Sequence, residues 1–166
     1  MIYLFTKSTK LNWFTEEDVI TWGLEEPVSH MGILLNGTHV FHSSASIFGG
    51  GSEGVKCDTL DDFLKARKVV FTYNHDIPAP DEIEMLDAVR EIDWPYDYEY
   101  FWFLVRSAIC LKLFRRKLPQ SNKNDGPDAF ICHEVHELLP DKYKPEVDLS
   151  NAITPYGVYL RLMGEL

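Results

Sequence analysis

Three of the six histidines, His30, His39 and His42, fall within an otherwise apolar stretch, EEPVSHMGILLNGTHVFHSSAS at 25–46, and Cys132 is the third residue of the stretch FICHEVHELL at 130–139. An imidazole in apolar surroundings needs a specific partner. A cysteine nucleophile needs an imidazole to take its proton, and that imidazole needs a further group to fix its tautomer. His30 and His42 are the candidates for those two tasks, with Cys132 as nucleophile. The periodicity of 130–139 predicts an amphipathic helix with Ile131, Val135, Leu138 and Leu139 inward and Cys132 in its first turn. The helix N-terminus and a protonated His30 would then both favour a thiolate. The competing reading is an inert buried cysteine. A third is metal binding, with His30, His42, Cys132 and His136 as a tetrahedral zinc set. The zincin pattern fails, because it needs two histidines four apart whereas His133 and His136 are three apart.

The two histidines cooperate only if the elements that carry them put both on one face. The segment 25–46 reads as two strands around Asn36-Gly37. A two-residue turn there would set His30 opposite Ser43, and the histidines would face apart. A three-residue loop Leu35–Gly37, with Gly37 left-handed, would set His30 directly opposite His42, their β-carbons about 5 Å apart. His39 would pair with Ile33 and face away. Elsewhere strands are expected at Ile2–Phe5, Gly54–Cys57 and 68–74, and helices from Thr15 (with Asp18 in a capping box), from Thr59 through TLDDFLKAR, at 79–92, at Tyr98–Phe114 and from Thr154-Pro155. On 79–92 the apolar positions are Ile83, Leu86, Ala88 and Val89. SIFGGGSEG and RRKLPQSNKNDGPDA read as loops. The class is α+β, a small antiparallel sheet packed against helices, in a single domain spanning 1–166.

Composition narrows the partners. The net charge of −10 disfavours nucleic acid, whose phosphates want a positive surface. The longest apolar run, YFWFLVRSAICLKLF, is broken by Arg106 and Lys112 and is shorter than the roughly 20 residues of a membrane span. The helix ending LKLFRRK invites contact with an anionic membrane surface, but a core-packed helix with cations at its C-terminal dipole is the favoured reading. Three widely spaced cysteines form no disulfide framework and, with no secretion signal in view, fit a cytoplasmic protein.

Taken in order, WGLEEPVSHMGILL, THVFHSS, PYDYEYF and FICHEVHELL resemble the circularly permuted NlpC-type cysteine hydrolases, a papain-like superfamily that includes lecithin–retinol acyltransferase-like proteins. In that family the histidine strand precedes the cysteine helix, as His30 precedes Cys132. The Ser-His-x-Gly pattern matches Ser29, His30, Met31 and Gly32, and the acyltransferase branch has a second histidine where His42 stands. A Tyr-Asp pair matches Tyr96-Asp97. The cysteine segment, often Cys-Ser-Glu, is here Cys132, His133, Glu134, so His133 departs from the pattern. The resemblance implies a permuted papain-like fold with the nucleophile at a helix N-terminus. It also implies a thiol hydrolase or acyltransferase without a cofactor, cleaving an amide, ester or thioester of a peptide, lipid or modified protein. Cys132 would attack, His30 would act as base and His42 would hold the His30 ring. Glu134 would be a supporting residue or a first-turn acid, Asp97 a site residue or a helix cap, and Ser29 and Tyr96 structural supports. A non-catalytic binding module of the same fold is the alternative.

Overall fold

The computed structural model describes residues 1–9, 17, 20–44, 54–92, 94–114, 132–150, 152 and 154–165. The predicted helix start at Thr15 with Asp18, all but the last residue of the loop at 46–54, the loop at 115–129, and Phe130 and Ile131 lie outside them.

Among the described residues five strands, β1 (Ile2–Ser8), β2 (His30–Leu35), β3 (His39–Ser44), β4 (Gly54–Thr59) and β5 (Arg67–Asn74), form an antiparallel sheet in the order β4-β3-β2-β1-β5. Among the described residues the helices are α1 (Leu60–Leu64), α2 (Ala79–Arg90), α3 (Tyr98–Phe114) and α4 (Pro155–Leu162), with shorter π and 3-10 turns at Ile20–Leu24, Val135–Leu138 and Asp141–Tyr143. The chain is thus α+β with a small antiparallel sheet, as expected. β2 is buried along its whole length, which is why it shows no polar alternation. One sheet face carries Tyr3, Phe5, Met31, Ile33, Leu35 and Phe41 into the main core, against Met85, Leu86 and Val89 of α2 and Val158 and Leu162 of α4. The other carries Leu4, Leu34 and Val40 against Phe63 of α1.

The hairpin differs from expectation in register but not in parity. Ile33 pairs with Phe41, Leu34 with Val40 and Leu35 with His39. The turn is therefore one residue later, at Asn36–Thr38, and His39 faces Leu35 rather than Ile33. Asn36 and Gly37 both take left-handed backbone, φ 49° and 66°, and Thr38 N–H donates to the Leu35 carbonyl at 3.2 Å. Thr38 is the extra residue, and its carbonyl accepts from Leu60 N–H at 2.8 Å, where α1 begins. His30 and His42 still share a face, diagonally rather than directly opposite.

Thr59 caps α1 by accepting from Asp62 N–H at 3.2 Å, but the helix is only five residues long because Arg67 already belongs to β5. On α2 the buried stripe is Met85, Leu86 and Val89, whereas Ile83 and Ala88, expected to be apolar contacts, are exposed. α3 buries Tyr100, Phe101, Leu104 and Ala108 and leaves Tyr98, Trp102 and Ile109 exposed, so its core packing is one-sided. Among the described residues no helix is long and apolar enough to cross a membrane.

The expected α-helix at the cysteine is not formed in the described part. Cys132–Glu134 are a turn and only Val135–Leu138 are helical, as a 3-10 turn. Pro140 explains the early stop, because the residue before a proline is forced out of the α region. Leu139 is indeed extended, φ −68° and ψ 144°.

Candidate active site

The face shared by β2, β3 and β4 gathers His30, His42 and two residues the sequence did not flag. His30 Nε2 lies 3.2 Å from His42 Nδ1, and His42 Nε2 lies 3.0 Å from Asp58 Oδ2. Lys56 Nζ stands 3.1 Å from the same oxygen. The β3–β4 register, which pairs His42 with Lys56 and Val40 with Asp58, puts both charged residues on the histidine face. The strand expected to end at Cys57 runs through Thr59, which brings Asp58 into the ladder. Alternation of Lys56 and Asp58 at strand spacing was the available signal.

Phe63 covers the pair, its ring centre 5.7 Å from that of His30 and 4.9 Å from that of His42. It fits only because position 32 is glycine: a β-carbon there would stand 2.5 Å from Val40 Cγ1 and 3.1 Å from two Phe63 ring atoms. Gly32 of the family-like pattern thus has a packing reason. Arg67 lies over the Phe63 ring at 5.0 Å and bonds Glu17 Oε1 through Nε at 2.8 Å. That Glu17 oxygen is 3.9 Å from His30 Nδ1. Nothing in the sequence pattern linked Glu17 or Arg67 to His30.

Burial controls the charge states here. It pushes His30 well below the ordinary imidazole range, helped by Arg67, His42 and Lys56. His30 is therefore neutral near pH 7, contrary to the protonated His30 expected from sequence. Burial also takes His42 down to about 4, against the opposing pull of its Asp58 hydrogen bond. Asp58 is held below the usual carboxylate range by the His42 hydrogen bond first and by Lys56. The contact therefore joins a neutral imidazole to a carboxylate and is not an ion pair at neutral pH.

Cys132 is fully buried, and Val135 and Leu139 just after it belong to the core on the opposite sheet face. His30 Nε2 bonds His42 Nδ1, and His42 Nε2 bonds Asp58. The turn geometry also removes the α-helical N-terminus invoked for the thiol. His133 is buried against Tyr100, ring centres 5.3 Å apart, and its Nδ1 has no hydrogen-bond partner. Burial takes its pKa down to about 3. His136 Nδ1 bonds the His133 carbonyl at 2.8 Å. Among the described residues no three His, Cys, Asp or Glu side chains are grouped so as to hold a metal, so the proposed zinc set does not assemble there.

Glu134 is buried rather than an exposed first-turn acid. Asp97 is a helix cap: its Oδ1 accepts from Tyr100 N–H at 2.8 Å at the start of α3. Tyr96 packs beside Tyr98 in the cluster under α3. Ser29 is buried with an unpartnered Oγ, and its N–H donates to the Thr6 carbonyl at 2.9 Å. His39, half-buried, accepts from Arg90 Nη2 at 3.1 Å, away from the pair as expected. The described residues thus unite His30 and His42 and add Asp58 to them. In comparisons with known proteins, no family model, no curated protein and no solved structure matches this chain.

Proposed function

We propose that the chain is a thiol hydrolase or acyltransferase in which Cys132 attacks an amide, ester or thioester carbonyl, with His30 as base and His42 holding the His30 ring. The observation that carries this reading is the buried His30–His42–Asp58 chain. Two neutral imidazoles and a carboxylate in line, covered by Phe63, are a costly arrangement for packing alone, because each ring loses its hydration. They are the arrangement a general base requires. His30 Nε2 is occupied by His42, which leaves Nδ1 for the thiol.

In the reaction the S–H bond breaks and its proton moves to His30 Nδ1 as sulfur bonds to the carbonyl carbon. The carbonyl π pair moves onto oxygen. When the tetrahedral adduct collapses, His30 returns the proton to the leaving group, and water or another acceptor then takes the acyl group from sulfur. A neutral resting His30 makes this proton transfer part of the attack. Peptide, lipid and modified-protein acyl donors all fit the chemistry. The family resemblance of the ordered motifs supports the reading and implies the permuted papain-like fold.

A second reading, a non-catalytic binding module, is favoured by one observation: Cys132 is fully buried and sits in a turn rather than in an α-helical first turn. The test is acylation by 4-nitrophenyl acetate followed by mass spectrometry of the three cysteines. Stoichiometric acetyl transfer to Cys132 ahead of Cys57 and Cys110, lost in His30→Ala, is expected. Labelling of all three at equal rates, or labelling of Cys132 indifferent to His30→Ala, would leave the binding module as the better reading. Electrophilic peptide, lipid and ubiquitin-like probes then identify the acyl donor.

A further inference from the structure

We infer that Asp58 is a positioning residue that sets the hydrogen-bond polarity of the histidine pair, so that His30 presents an unprotonated Nδ1. The inference deepens the acyl-transfer reading and takes its chemical meaning from it, but the polarity itself follows from the geometry. An ionised carboxylate only accepts, so at 3.0 Å from Asp58 Oδ2 the His42 Nε2 must carry hydrogen. A neutral imidazole has one N–H, which leaves His42 Nδ1 as an acceptor. His30 Nε2, 3.2 Å away, is therefore the donor of that bond. His30 is neutral too, and its Nδ1 is left as a lone pair.

Reversing any bond reverses the whole chain. If His42 carried hydrogen on Nδ1, His30 Nε2 would have to accept, its single hydrogen would sit on Nδ1, and no base would face a thiol. The other charged residues described on the histidine face do not set the direction. Lys56 and Arg67 are donors only, and Lys56 Nζ, 3.1 Å from Asp58 Oδ2, keeps the carboxylate ionised. Glu17, 3.9 Å from His30 Nδ1, is beyond hydrogen-bond length and is held by Arg67. When His30 takes a proton at Nδ1 it becomes an imidazolium, and no further proton moves: the two polarised hydrogen bonds and the Asp58 carboxylate stabilise the charge where it forms. The carboxylate thus also stabilises the protonated state formed during attack.

The tautomers can be read directly by long-range proton–nitrogen correlation on protein labelled with 15N-histidine, at pH 7. In the native protein both His30 and His42 should carry hydrogen on Nε2 and none on Nδ1. Asp58→Ala and Asp58→Asn should replace that single state by mixed or inverted tautomers in both rings, and Asp58→Glu should restore it. Acetyl transfer from 4-nitrophenyl acetate to Cys132 should fall on the order of 10²-fold or more in Asp58→Ala, a loss expected when a base is in the wrong tautomer. Native His42 protonated at Nδ1 would overturn the inference, as would native tautomers surviving in both Asp58→Ala and Asp58→Asn. The failures separate cleanly. Native tautomers as stated, with no acylation of Cys132, would refute acyl transfer and leave the polarity role of Asp58 standing.

Discussion

Gly32→Ala adds one methyl group at the point where the sheet meets Phe63. Two effects oppose each other. Replacing glycine in a strand reduces the entropy of the unfolded chain and favours folding by roughly 0.5–1 kcal/mol. Against this, the new β-carbon would lie 2.5 Å from Val40 Cγ1 and 3.1 Å from Phe63 Cε2 and Cζ. Normal contact begins near 3.5 Å, so Val40 must retreat by about an ångström. It has nowhere to go: Val40 and Phe63 are both fully buried, and a valine is stiff at χ1. Overpacking of this kind costs about 1–3 kcal/mol. The clash wins, and the net destabilisation should be about 1–2 kcal/mol by urea unfolding at pH 7. Val40→Ala removes the clashing methyl, so the double variant Gly32→Ala/Val40→Ala should be more stable than the two single losses add up to, by about 1 kcal/mol. The displaced Phe63 would also loosen its cover over His30 and His42. A neutral or stabilised Gly32→Ala, or strict additivity in the cycle, would refute the packing argument for this glycine.

Acid should destabilise the fold. His42 and His136 titrate at about 4 and His133 at about 3, all lowered chiefly by burial from 6.5, and His30 is lowered well below 6.5 for the same first cause. Below pH 6.5 the unfolded chain therefore binds more protons, and stability falls with falling pH down to about 4, by up to about 1.4 kcal/mol per unit for each group. Glu26 acts oppositely: burial raises it to about 7, so between 7 and 4.5 its protonation favours the folded state, but one carboxyl stands against four imidazoles. Urea midpoints followed by circular dichroism should drop between pH 6 and 4.5, and a flat profile would show that the rings are not buried neutral. Asp97→Ala should cost about 1 kcal/mol of stability by urea unfolding, since Tyr100 N–H loses its 2.8 Å acceptor at the start of α3. Thr154→Val removes both the cap to Gly157 N–H at 3.1 Å and the donor to Glu26 Oε1 at 2.9 Å. It should cost about 1–2 kcal/mol and move the Glu26 carboxyl further up in a carbon-detected titration, with Thr154→Ser restoring both.

Local signals alone determined much of this protein. Strand content at 2–5 and 68–74, the capped starts at Thr59 and Thr154 and the long helix Tyr98–Phe114 follow from propensity and capping chemistry, which act over a few residues, whereas strand parity left the shared face of His30 and His42 as one of two outcomes. Parity survived a wrong turn position because a shift that moves the pairing by two keeps every side chain on its face. What the tertiary structure decided depends on contacts between distant segments. Thr38 joins the turn because its carbonyl meets Leu60 N–H, and Asp58 becomes the partner of His42 only when β4 adds to β3. Phe63 and Gly32 are a matched pair across the sheet face, invisible to any window that contains one of them. The neutrality of His30 is likewise tertiary, because desolvation depends on what closes over a ring and not on its neighbours in sequence. In the described part of the cysteine segment, apolar spacing alone does not make an α-helix, because Pro140 forces Leu139 out of the α region and Val135 and Leu139 pack into the main core from a 3-10 turn.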